Sequence, residues 1–130
     1  MPSCPCNSNK PYSECCGSYI DDGKIPATPE QLMRSRYTAY TQANIEYILQ
    51  TMKAPAANRF DAQSAKHWAS KVKWLGLKVL HSSGTENKGQ VEFIAYFSED
   101  GKEDCIHELS DFHQIENRWY YVDGKHRDQG

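Results

Sequence analysis

No apolar run in this chain approaches the ~18 residues that a membrane-spanning helix needs. The opening stretch "MPSCPCNSNK" lacks the apolar segment of a secretory leader, so export is not expected. Basic blocks are missing too. The densest run is Lys71-Val72-Lys73, and the formal net charge is −2. A phosphate-binding surface needs a basic stripe, so nucleic acid is not an expected partner. There is no nucleophile elbow, phosphate loop or dinucleotide fingerprint. The five histidines show neither H-x-x-x-H nor H-x-H spacing. The two glycines of "GTENKG" belong to a hairpin turn rather than a phosphate cradle. These absences leave a cytoplasmic chain with no membrane contact and no motif that declares a reaction.

Cysteine is scarce except at the front. Four of the five cysteines fall within Cys4–Cys16, at the spacing C-x-C-x8-C-C. In a reducing compartment, crowded cysteines read as metal ligands. Zinc takes four thiolates at tetrahedral geometry, and Cys4, Cys6, Cys15 and Cys16 supply four. Pro5 stiffens the first pair. Asn7-Ser8-Asn9 forms a turn, since Asn tolerates positive φ. Ser13 is the expected cap of a short turn carrying Cys15 and Cys16, and Gly17 permits a sharp exit. Lys10 is the cation nearest in sequence to offset the charge of the thiolates. The alternative is a Cys6–Cys15 disulfide, which a reducing setting opposes. Four sulfurs leave no position for a substrate water, so one structural Zn2+ per chain is expected.

This stretch resembles the SEC-C motif, the small zinc-binding segment at the end of the SecA translocase. All four ligand positions are cysteine here. Asn7 and Asn9 stand where the motif usually has glycine. The resemblance implies a knuckle over residues 1–22 that contacts a protein partner, as the motif does in SecA. No cysteine occurs in the closing "KHRDQG", so a single knuckle is expected.

The body, residues 23–130, begins with the linker "DDGKIPATPE" and ends in a short polar tail. Thr28-Pro29-Glu30-Gln31 is a helix start: Thr28 caps, Pro29 takes the first helical position, and Gln31 completes a capping box. The helix runs to about Gln42, with Leu32, Met33, Tyr37 and Tyr40 as its apolar face. "IEYILQTM" is a second helix and "KAPAANRF" a loop. Asp61 caps a third helix whose Ala62, Ala65, Trp68, Ala69 and Val72 recur at helical spacing. After Trp74 the period becomes two. "WLGLKVLHSS", "QVEFIAYFS", "EDCIHELSDFHQI" and "RWYYVDG" read as four strands. They are joined by turns at Thr85–Gly89, Asp100-Gly101 and Glu116-Asn117. Three helices followed by a four-stranded antiparallel meander make an α+β domain.

That order resembles the NTF2-like (cystatin-like) cone. Six segments carry a closer resemblance to the YchJ-like family of uncharacterised bacterial proteins. They are the knuckle, "LMRSRYTAY", "WLGLKVL", "VEFIAYF", "HELSDF" and "RWYYVDG". The resemblance implies helices packed on a curved sheet and a pocket inside the cone. Alternation alone leaves open which face of strand Cys105–Ile115 points inward; the resemblance favours Glu108, Ser110 and Phe112. Arg34 or Arg36 is then expected to pair with Glu108. Tyr37 and Tyr40 join Arg34, Arg36, Glu108 and Ser110 as pocket candidates. His81, His107 and His113 read as surface or core histidines, and Cys105 as a small apolar residue of its strand. Trp68, Trp74, Trp119 and Tyr121 are core first and ligand platform second.

Three functions follow, in order. The first is a non-catalytic, zinc-containing adaptor whose knuckle meets a protein partner. The second is a small-molecule binder or enzyme using the cone. The third is a ribosome- or RNA-associated protein. With no positioned nucleophile and a closed metal site, the chain reads as no enzyme in its own right.

Overall fold

The computed structural model describes residues 3–126. The expected polar tail lies, from Arg127 onward, outside the described residues. Five α-helices precede the sheet: α1 (Cys16–Ile20), α2 (Pro29–Thr41), α3 (Ile45–Gln50), α4 (Ala56–Arg59) and α5 (Ala62–Lys71). A 3-10 turn, Tyr12–Glu14, leads into α1. The strands are β1 (Lys73–Gly84), β2 (Lys88–Glu99), β3 (Lys102–Ile115) and β4 (Arg118–His126), antiparallel in the order β1-β2-β3-β4. The α+β meander is as expected, with two extra short helices. One is α1, inside the knuckle. The other is α4, within the segment expected to be a loop. Among the described residues, no helix is long and apolar enough to cross a membrane.

Local chemistry accounts for most element ends. Thr28 Oγ1 accepts from the Gln31 backbone N–H, Asn44 Oδ1 from that of Tyr47, and Asp61 Oδ1 from that of Ser64. Gln31 reaches back one residue further than a capping box requires, accepting from the Ala27 N–H. Asp100-Gly101 and Glu116-Asn117 all have positive φ, as two-residue hairpin turns demand. Ser13 does not cap; it lies inside the 3-10 turn, and neither that turn nor α1 has a side-chain cap. Gly17 is needed for a different reason than a sharp exit. It is helical, and a Cβ there would sit 2.7 Å from the Tyr12 ring and carbonyl.

On β2, Val91, Phe93, Ala95 and Phe97 all face the core. Glu108, Ser110 and Phe112 share the inner face of β3. The sheet curls through three irregularities: one between Trp74 and Gly76, one between Val79 and His81, and one opposite Asp111/Phe112. Each inserts a residue that reverses the inside–outside phase. This explains why Leu75 and Leu80, the inserted residues of β1, are exposed although their strand is apolar. It also turns Gly124 and His126 of β4 inward in place of Asp123. Beyond the sheet edge, the Lys53 N–H donates to the Tyr121 carbonyl and the Tyr121 N–H to the Thr51 carbonyl. The segment after α3 is thereby stitched to β4.

Helix α2 is buried nearly all round, with Leu32, Ser35, Thr38 and Ala39 fully enclosed. Its buried Pro29 rests on the β1–β2 hairpin, where a Cβ on Gly89 would overlap the proline ring and approach Ser83 O to 2.8 Å. Gly89→Ala is therefore expected to lower stability by about 2 kcal/mol, a Tm fall of roughly 6–10 °C. Thermal denaturation checks it, and a fall under ~2 °C would mean that the proline yields.

Candidate functional site

The knuckle is not a separate lobe. Cys4, Cys6 and Cys16 are buried in the same apolar cluster as Leu32, Met33, Tyr37, Leu77, Val91, Phe93, Phe112 and Trp119. Asn7 and Asn9 adopt φ of 64° and 69°, the left-handed geometry that asparagine tolerates. They fold the chain so that Cys4 and Cys6 meet Cys15 and Cys16. The four sulfurs lie within 4.8 Å of one another. Cys6 Sγ is 3.6 Å from Cys15 Sγ, which is 4.0 Å from Cys16 Sγ. Metal–sulfur bonds of about 2.3 Å in a tetrahedron put sulfurs roughly 3.8 Å apart, so the tetrad fits a four-sulfur metal site. All five cysteines are free thiols.

The tetrad's charge is polarised toward Cys6. Its pKa falls to about 4, chiefly because the Cys16 thiol donates to it, and the same bond drives Cys16 strongly upward. Burial raises Cys15. A set of thiols that can ionise only in part while enclosed is stabilised by a bound cation. Arg34, rather than Lys10, is the cation built into the knuckle. Its Nη1 donates to the Cys6 carbonyl at 2.7 Å, while its Nε pairs with Glu30 at 3.0 Å. The expected pairing of Arg34 with Glu108 is thereby corrected.

The second site is the cone. A cavity of about 530 Å3 lies between the helices and the concave face of the sheet. Of the six pocket candidates, Arg36, Tyr37, Tyr40, Glu108 and Ser110 line it, and Arg34 does not. Its walls are largely rings and methyls, including Met33, Met52, Phe60, Trp68, Trp74 and Phe93. Trp74 is edge-on to Tyr37 at 5.6 Å and to Trp68 at 5.2 Å. Trp119 is core, its indole N–H donating to the Ala27 carbonyl.

Polar groups gather at one end. Glu108 Oε2 accepts from the Ser110 hydroxyl at 2.5 Å and the Tyr121 hydroxyl at 3.1 Å. Glu108 forms no ion pair with Arg36, which corrects the second expected pairing. Arg36 Nη1 donates instead to the Ile48 carbonyl at 2.9 Å and to Thr51 Oγ1 at 2.7 Å, with its guanidinium 4.5 Å from the Tyr121 ring centre. Tyr121 thus touches both, its ring face the cation and its hydroxyl the carboxylate. Burial pulls Arg36 down, pushes Tyr37 up to about 12, and raises Tyr40 and Tyr121. The phenols therefore stay neutral hydrogen-bonding groups.

Of the remaining residues, His107 pairs with Glu92 at 2.8 Å away from the cavity, and His113 and His81 are exposed. Cys105 is half-buried on β3, outside the tetrad. The sequence reading missed Gly124 and His126, which only the inserted residue of β4 turns inward. It also missed Arg59 and Phe60, which short α4 brings to the lining.

Residues 28–124 match the family model described as the YchJ middle NTF2-like domain. A UPF0225 protein of Geobacter sulfurreducens is 39% identical over 124 residues, spanning 93% of this chain and 77% of that protein. A UPF0225 protein of Haemophilus influenzae is 41% identical over 124 residues, spanning 95% and 77%. The solution structure of a SEC-C motif containing protein from Rhodopseudomonas palustris superposes with a TM-score of 0.89 at 38% identity, covering 98% of this chain and all of the other. A crystal structure of a SEC-C motif containing protein from Psychrobacter arcticus gives 0.83 at 30% identity, covering 100% and 85%. The chain therefore belongs to the YchJ-like UPF0225 family, SEC-C motif proteins with an NTF2-like body.

Proposed function

We propose that this protein is a zinc-stapled small-molecule-binding domain: Cys4, Cys6, Cys15 and Cys16 hold one structural Zn2+, and the cone receives the ligand. One observation carries the reading. The cavity of about 530 Å3 combines ring-rich walls with a cluster of polar groups at one end. That is the usual make-up of a small-molecule site. An adaptor with a filled cone has no use for an inward Glu108 lacking a cationic partner. The burial of three of the four cysteines supports a zinc that braces the core rather than one displayed to a partner. Four sulfur donors leave the metal no open position, so it has no catalytic part. A cluster of free thiols suits a reducing compartment, and we place the protein in the cytoplasm.

A second reading keeps the partner-contact role. Pro5, Asn7, Asn9, Lys10 and Glu14 are exposed around the sulfurs, and a protein partner could rest on that rim.

The test of the cone is titration of indole into the 15N-labelled, zinc-loaded protein. Shifts should concentrate on the cavity wall, at the Trp68 and Trp74 indole N–H groups and at Ala95 and Gly124. Shifts scattered elsewhere, or none at millimolar indole, would remove the pocket reading.

A further inference from the structure

Three groups at the polar end of the cone keep unused hydrogen-bonding capacity. Glu108 spends Oε2 on the Ser110 and Tyr121 hydroxyls, while its Oε1 accepts nothing among the described residues. Arg36 spends only Nη1, on Ile48 and Thr51. The Tyr40 hydroxyl has no partner among the described residues, yet Tyr40 lines the same cavity. The Ser110 and Tyr121 protons are committed to the carboxylate. The cone thus presents one strong acceptor, Glu108 Oε1. It also presents donors in Arg36, whose guanidinium lies over the Tyr121 ring, and in Tyr40, which lines the same cavity.

A ligand that completes this end needs a donor and an acceptor side by side. Its charge state follows from electrostatics. Arg59 on the lining is held by Asp123, so a carboxylate would meet Glu108 as well as Arg36, and an ammonium would meet Arg36 as well as Glu108. Each then carries one repulsion along with its attraction, and each must shed part of its water on entering a cavity walled mainly by rings and methyls. A neutral amide has neither problem: its N–H faces Glu108 and its carbonyl faces Arg36 or Tyr40. Aromatic walls such as Trp74 favour a flat body.

Resting on the pocket reading above, we propose that the cone binds an uncharged, planar ring compound bearing an amide-type edge, with its N–H on Glu108 Oε1 and its carbonyl oxygen on Arg36 or Tyr40.

Four probes that share a benzene ring test the head group alone: benzamide, N,N-dimethylbenzamide, benzoate and benzylamine. Each is titrated into the unaltered, zinc-loaded protein and followed by the shifts of the cavity residues. Benzamide should bind roughly tenfold or more tightly than the other three, the worth of one hydrogen bond to a charged group. Glu108→Gln should narrow the gap between benzamide and its dimethyl derivative, because the charge that strengthens the N–H contact is gone. Benzoate or benzylamine equalling benzamide would overturn the proposal, as would dimethylbenzamide binding as tightly. If all four bind alike, the ligand class falls and the pocket stands. If none binds and indole is also silent, both fall.

Discussion

Removing the metal from this protein is expected to loosen the whole body, not the first twenty residues alone. Elemental analysis of the purified chain should find one zinc. Cys16→Ser, or a strong chelator, should then lower Tm by more than ~10 °C, or about 3 kcal/mol, with collapse of the dispersed methyl signals of the core. The buried aromatic residues all lie beyond Thr28, so the knuckle supplies none of them. The structure places Cys6 and Cys16, both fully buried, against that core. Helix α2 is tied to the knuckle twice: Arg34 donates to the Cys6 carbonyl, and Thr38 Oγ1 lies 3.7 Å from Cys4 Sγ. Without a dication the thiols remain enclosed with part of their charge uncompensated, and the helix that walls the cone loses its seat. A chain free of zinc with Tm within ~3 °C of the parent would show instead that the body stands by itself.

Arg36→Ala is expected to cost about 3–5 kcal/mol, and Glu108→Ala only about 1–2 kcal/mol. Were the two residues an ion pair, removing either would strand the other at comparable cost. The geometry makes them unequal. Arg36 joins α2 to the end of α3 through Ile48 and Thr51, and its guanidinium covers Tyr121. Its loss leaves a hole at the junction where the segment after α3 is stitched to β4. Glu108 receives two hydroxyl protons and otherwise faces the cavity. Its loss leaves the buried Ser110 hydroxyl without an acceptor, a smaller penalty. Urea denaturation of both variants reads the difference. Equal costs would restore a direct charge pair between them.

Local patterns in the chain determined the elements. A capping threonine followed by proline starts α2, strict alternation builds β2, and left-handed turn residues close the hairpins; each works over a few neighbouring residues. The ligand count of the knuckle was legible for the same reason, since two pairs of cysteines need only one turn to meet. Asn7 and Asn9 supply that turn.

What the sequence left open was decided by groups far apart along it. Which face of β3 looks inward depended on the helices it packs against, because both faces carry a mixture of polar and apolar residues. The partners of Arg34 and Arg36 depended on rotation of α2. The two residues are two positions apart, about 200° around the helix, and so point to different neighbours, one to the knuckle and one to the end of α3. The inserted residues of β1 and β4 leave no mark in composition, yet they set the curvature and turn Gly124 and His126 inward. Most of all, burial of the cysteines required the sheet. Hydrophobic periodicity describes one element's face, and only the packed body shows that the front of the chain is the floor beneath α2.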